Sequence, residues 1–340
     1  MPTDPRNILV IHIAGLAQTI LALPALRSLR QHLPEARITV ASSALAADLP
    51  RLAQCADEIL PVGRLRGAEL LNPKTLYRGA KSLGEIRRGI YDLAIEFRKN
   101  TEGGVALQLA HPLARLGAKS STLGGVIERV TESLSKRTPT HLAQEYLKRL
   151  EALGVRPIEA EPRIATDRSA NEQIEKFLNK HGLGMGQLLV GLHPGAGART
   201  PRWPIERFAS IASRMIHNFN ARVLVFAGPK ERGQAKRIVA TLPARQAIAI
   251  ESPKLLDFVS AAARLSLFIG NAAGPAHVVA AAGAPVVAVS TSVDFSPQDI
   301  LGSRVELLRA PHPSIISEEA VYEAACRLLK MNRAEYLRAR

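Results

Sequence analysis

The chain reads as an α/β protein built from two Rossmann-like domains in series, and three observations predict this. At 340 residues it exceeds what one ordinary core fills and suits two domains of common size. Its apolar mass is Ala, Leu, Val and Ile, with aromatics at only 4%, a mix that suits helices laid on buried parallel sheets. Short apolar runs alternate with helical-period segments twice over, once on each side of a proline-bearing stretch at 155–167.

The elements follow in order. Residues 8–13 predict an apolar strand, and 18–30 a helix with Ile20, Leu21, Leu23, Leu26 and Leu29 on one stripe. Strands are expected at 37–41, 58–62 and 91–97, and a helix over 141–154 that stops at Gly154. After the linker the series resumes with strands at 188–192, 221–226, 265–269 and 285–289. Helices are predicted between and after them at 205–216, 229–242, 273–282 and 317–329. The domains are therefore 1–165 and 166–340, with parallel sheets facing across a cleft and the last helix free to pack back on the first domain.

Charge and cysteine usage narrow the setting. The net charge of +15 divides almost evenly, +7 before residue 165 and +8 after it. One local concentration runs from Arg64 and Arg66 through Lys74, Arg78, Lys81, Arg87 and Arg88 to Lys99. It suits a solvated face or an anionic lipid surface. No aromatic platform or DNA-reading motif accompanies it, so no nucleic acid is expected. The two cysteines, Cys55 and Cys326, have no metal-type spacing, and no metal is expected. The first apolar run is about six residues, far short of the ~20 that span a bilayer. A cytoplasmic location is predicted, with peripheral contact at the inner face of the cytoplasmic membrane as its extension.

Three loops at predicted strand ends can carry chemistry. In HPGAGARTPRWP, Gly195 and Ala196 let backbone approach a ligand, and the helix near Pro204 offers open N–H groups to an anion. In GNAAGPAHVVAAAGAP, Gly274 and Pro275 open a helix and His277 stands on its first turn. In AGPKERGQAKRI, Glu231 sits at a helix start, where it favours the dipole or accepts from ribose hydroxyls. The GxxxxGK[ST], GxSxG and HExxH patterns are absent, and the turn AGLAQ lacks GxGxxG.

These strings, taken in order with NILVIHIAGLAQTILALPALRSLR and FIGNAAGPAHVVAAAGAPVVAVSTSVD, resemble the lipopolysaccharide heptosyltransferases of glycosyltransferase family 9. The resemblance implies a GT-B fold and inverting transfer of a sugar, typically heptose from ADP-heptose, to a lipid-anchored saccharide, with no cofactor. It also implies a carboxylate in the first loop as base, and a lysine and helix N-termini at the leaving diphosphate. At those positions this sequence departs. The family Asp falls on Gln18 and its Gly on Ala17; the basic residue before the Trp falls on Pro201, with Arg199 and Arg202 as substitutes. The acidic and hydroxyl pair is Ala272 and Ala273, and Asp294 is kept while the turn before it reads Thr291, Ser292 and Val293.

The expected enzyme is therefore a glycosyltransferase whose usual catalytic Asp position holds Gln18, with His12 as a substitute base. Its donor side would use Gly195, Ala196, Arg202, Glu231, Gly274, Pro275, His277 and Asp294. Two alternatives stand beside it: a catalytically silent binder of sugar nucleotide or glycolipid with the same fold, and a basic anion-binding scaffold.

Overall fold

The computed structural model describes residues 5–63, 73–98, 100–117, 127–130, 140–158, 161–183, 186–197, 201–291, 296 and 298–338. Of 73–76, 117, 127–130 and 331–338 only the backbone enters. The chain divides into two compact units, Met1–Ile164 and Ala165–Arg340.

In the first unit the strands are β1 (Asn7–His12), β2 (Arg37–Ser43), β3 (Glu58–Val62), β4 (Leu93–Glu96), β5 (Ala114–Gly117) and β6 (Ile127–Val130). They form one parallel sheet in the order β3-β2-β1-β4-β5-β6. Helices α1 (Leu16–His32), α2 (Asp48–Leu52), α3 (Pro73–Arg88), α4 (Thr101–Ala110) and α5 (Leu142–Glu151) cover it. The sheet is parallel because every connection is a crossover, and such a sheet must be apolar on both faces. Ile8, Leu9, Val10 and Ile11 of β1 are accordingly all fully buried. Each such side chain contributes roughly 1.5–3 kcal/mol of transfer free energy.

The second unit holds α6 (Arg168–Lys180), β7 (Leu189–His193), α7 (Ile205–Phe219), β8 (Arg222–Ala227) and α8 (Gln234–Val239). It continues with β9 (Ala247–Glu251), α9 (Leu255–Ala262), β10 (Leu267–Asn271) and α10 (Gly274–Ala281). β11 (Val286–Ser290), β12 (Val305–Arg309) and α11 (Glu318–Arg338) complete it. Its parallel sheet runs β12-β11-β10-β7-β8-β9. Read from the β9 edge this repeats the order of the first sheet. In each the strand order reverses beside the first strand, between β1 and β4 and between β7 and β10. Open α/β sheets bind ligands outside the strand C-termini at that reversal. α11 packs on α7 and on β10, β11 and β12, all within its own unit.

Two predicted elements need correction. The single helix expected over 229–242 is a short 3-10 turn, Pro229–Glu231, followed by α8, because Gly233 takes a left-handed φ of 86°. Glu231 therefore precedes α8 instead of lying in its first turn. The strand expected at 265–269 begins two residues later, since the N–H groups of Ala263, Arg264 and Leu265 close the last turn of α9. Pro204 stands at the start of α7, as expected, and is its N-cap. The strands β9 and β12, which the sequence reading did not include, lie at the two edges of the sheet, and every one of their residues is only partly buried. Among the described residues no helix is long and apolar enough to cross a membrane.

Candidate functional site

The reversal point of the second unit gathers three loops. β7 ends at His193 and leads into Pro194, Gly195 and Ala196; β8 leads into the 3-10 turn with Glu231; β10 ends at Asn271 and leads into α10. Asn271 stitches the first loop to the third. Its Nδ2 donates to the Pro194 carbonyl at 2.8 Å and lies 3.3 Å from that of Gly195. Its Oδ1 accepts from the Trp203 N–H at 2.9 Å. The Trp203 indole N–H donates to the Ile316 carbonyl, tying the start of α7 to the segment before α11. All these groups are buried, where an unpaired amide would cost about 1–3 kcal/mol.

Glu231 is 7% exposed and lies against the first loop. A Cβ added at Gly195 would stand 2.8 Å from both Glu231 Cγ and Cδ and 2.6 Å from His193 Cε1. One at Gly228 would stand 2.7 Å from Glu231 Oε2. A side chain at either position would push the Glu231 carboxylate, or at Gly195 the His193 ring, from its place, so these glycines leave room for the carboxylate here. Arg202 Nη2 is 3.8 Å from Glu231 Oε1, which leaves the carboxylate only loosely paired. The His193 pKa is pushed down by burial, against the pull of the Glu231 charge. Its Nδ1 donates to the Gly195 carbonyl at 3.3 Å, which places the proton of the neutral ring on Nδ1.

α10 starts without a side-chain cap. Ala273 at the N-cap has no side-chain acceptor, Pro275 has no N–H, and the Ala276 and His277 N–H groups turn to the Ala273 carbonyl, so the helix start offers an anion the Gly274 N–H and the positive dipole end. Gly274 and Pro275 remain half-exposed there, while His277 is buried beneath the same turn. α7 likewise starts uncapped, behind Pro204.

The reversal point of the first unit is differently equipped. Gln18, in the first turn of α1, accepts through Oε1 from Arg98 Nη1. Asn100 donates to the Ile13 carbonyl at 2.8 Å and caps α4 by accepting from the Gly103 N–H at 2.7 Å. Asn100 thus crosses from β4 to β1 as Asn271 crosses from β10 to β7. Arg149 of α5 donates to the carbonyls of Glu96 and Phe97. His12 is 1% exposed, packed edge-on against Phe97 at 6.1 Å and Tyr146 at 5.4 Å between ring centroids. Burial, with the charges of Arg98 and Arg149, pushes its pKa down to about 4. Such a ring is neutral at neutral pH and a weak proton acceptor. Its surroundings are those of a packed aromatic.

The structure thus brings Gly195, Arg202 and Glu231 into contact or near-contact, with Ala196, Gly274, Pro275 and His277 on the adjoining loops. Gln18 and His12 stand on the other unit. Asp294, Arg199, Ser292 and Val293 lie outside the described residues, as do Arg64, Arg66 and Lys99 of the basic stretch. Sequence reasoning missed His193, Asn271, Arg98 and Asn100. His193 and Asn271 were within strings already singled out, as the last residues of their strands. Among the described residues no cluster of His, Cys, Asp and Glu could hold a metal.

Solved structures share this architecture. A glycosyl transferase family 9 protein from Veillonella parvula is 23% identical, with a TM-score of 0.81 over 97% of this chain and 99% of that one. The E. coli ADP-heptose lps heptosyltransferase II is 20% identical, with a TM-score of 0.77 over 96% and 99%. E. coli heptosyltransferase WaaC, solved with ADP, is 17% identical at 0.72 over 96% and 99%. These likenesses establish the GT-B fold. No curated protein sequence matches the chain. The family model for glycosyltransferase family 9 (heptosyltransferase) matches residues 81–312, from the middle of α3 almost to α11, and the chain therefore belongs to that family.

Proposed function

We propose that this family 9 member transfers a heptose, with inversion, from ADP-heptose to a lipid-anchored saccharide. The second unit would hold the donor and the first the acceptor. The observation that carries this reading is the pocketed Glu231 carboxylate, for which Gly195 and Gly228 are kept free of side chains beside two uncapped helix starts. A carboxylate of that kind accepts hydrogen bonds from a ribose diol, and uncapped N-termini accept a diphosphate. Arg202, loosely paired with Glu231, takes the diphosphate charge in place of the lysine that Pro201 lacks. No cofactor enters the scheme. The exposed Tyr77, Arg78, Lys81, Arg87 and Arg88 on α3 support peripheral contact with anionic lipid.

A second reading, a silent binder, is favoured by one observation: the amide of Gln18 cannot take a proton and is engaged by Arg98. Calorimetry with ADP-heptose and other sugar nucleotides, followed by a product assay with a lipid-linked saccharide on the same samples, separates the two. Micromolar binding with transfer supports the enzyme. Binding without transfer supports the silent binder, and no binding to any sugar nucleotide removes both.

A further inference from the structure

A glycosyltransferase usually needs a base because its acceptor is a hydroxyl, whose proton must leave as the oxygen attacks. At the ligand-binding edge of the first sheet the groups presented are of the opposite character. Gln18 offers an amide, and its carbonyl oxygen is turned onto the Arg98 guanidinium, which is exposed. Arg149 adds a second positive charge, anchored on the Glu96 and Phe97 carbonyls of the same loop. Glu96 and Glu102 are 6% and 5% exposed, and Glu96 packs so close to Gly103 that a Cβ there would stand 3.0 Å from its Oε1. Both carboxylates are buried, whereas Arg98 is exposed. His12 is walled in by Phe97 and Tyr146. Of these charged groups Arg98 is the exposed one, and it offers an anion a positive partner.

Resting on the transferase reading above, we propose that the accepting atom arrives already ionised: it is an oxygen of a phosphate monoester, held by Arg98 beside Gln18. The fork of a guanidinium matches two phosphate oxygens, and fixing it with an amide carbonyl pre-orients it. The step balances without a base. One phosphate oxygen forms a bond to the anomeric carbon, the bond from that carbon to the donor diphosphate breaks, and the nucleoside diphosphate leaves with the electron pair. No proton is transferred, so an amide at position 18 suffices.

The test uses the full chain with ADP-heptose and, in separate reactions, inorganic phosphate, glycerol 3-phosphate or glycerol, read by phosphorus NMR and mass spectrometry. The expected products are heptose 1-phosphate from phosphate, a glycosyl phosphodiester from glycerol 3-phosphate, and none from glycerol. Arg98→Ala, at an exposed position, should lower kcat/KM for phosphate about ten-fold or more, chiefly through KM, as loss of a charged hydrogen bond does. Gln18→Asp should draw Arg98 into an ion pair, weaken transfer to phosphate and open transfer to glycerol. Transfer to glycerol but not to phosphate by the natural chain overturns the proposal, and so does an Arg98→Ala protein with undiminished phosphate transfer. Donor that binds by calorimetry but never reaches phosphate overturns it too, leaving the donor site standing. Absence of donor binding removes the transferase reading with it.

Discussion

Glu231 and Gly195 are held so close that the glycine has no room for a methyl group: a Cβ there would meet Glu231 Cγ and Cδ at 2.8 Å. The carboxylate and the loop are therefore one unit, and each can be perturbed through the other. Gly195→Ala must displace either Glu231 or the His193 ring, at a cost of about 1–3 kcal/mol for such overpacking. Thermal unfolding should show the loss, and calorimetry should show donor affinity falling with it. Glu231→Gln keeps the shape and removes the charge. It should weaken ADP-heptose binding while leaving the melting temperature almost unchanged, which separates ligand contact from packing.

Asn271→Ala removes the partner of the Trp203 N–H and of the Pro194 carbonyl together. Two buried groups left unpaired predict a loss of about 2 kcal/mol or more. In urea denaturation the midpoint should fall with the slope unchanged. Asn271→Asp should do no better, since it keeps the acceptor for Trp203 but sets a carboxylate against two carbonyls.

Acid should destabilise the first unit through His12. Its pKa is about 4 in the folded chain against about 6.5 when unfolded, so the unfolded state binds more protons between those values. The stabilisation is complete above pH 6.5 and drains as pH falls toward 4, by about 3 kcal/mol in all. Urea midpoints at pH 7, 5.5 and 4.5 should trace the fall. His12→Phe, which keeps a ring between Phe97 and Tyr146, should flatten it; an unchanged slope in that variant would place the acid sensitivity elsewhere. His193, also pushed down by burial, acts in the same direction and leaves a residual slope.

The two thiols should differ in reactivity. Cys55 is buried, donates to the Pro50 carbonyl at 3.2 Å, and has its pKa pushed up to about 12 by burial. Cys326 is half-exposed. Titration of the native protein with a disulfide reagent at neutral pH should release one equivalent from Cys326, and the second only on unfolding. Two equivalents from the native chain would contradict the burial of Cys55.

What was legible in the sequence was whatever is local. The apolar runs of β1, β7 and β11 announce buried parallel strands, Gly195 announces close approach and Gly274 a helix start, because each signal needs only its neighbours. Glu231 was readable as a candidate carboxylate, but its relation to the dipole was misjudged because Gly233 breaks the helix behind it. The pairings that define the site were not legible. Arg98 reaches Gln18 across 80 residues and Asn271 reaches Pro194 across 77, and such pairs become neighbours only when the sheet order is known. The consequence for Gln18 is the clearest. Its sequence reading stopped at the loss of a base, whereas its structural setting is the gain of a positioned cation.

The chain contains a single tryptophan, and it is Trp203. Its backbone is tied to Asn271 at the mouth of α10 and its indole to the Ile316 carbonyl ahead of α11, with Phe208 edge-on at 4.9 Å. Tryptophan fluorescence from this protein therefore has one address, and Asn271 ties that address to the Pro194 and Gly195 carbonyls. A ligand that shifts that loop should change the tryptophan emission of the unlabelled chain, while events confined to the first unit should leave it unchanged. A ligand's place of binding can be read from its spectrum before any crystal is grown.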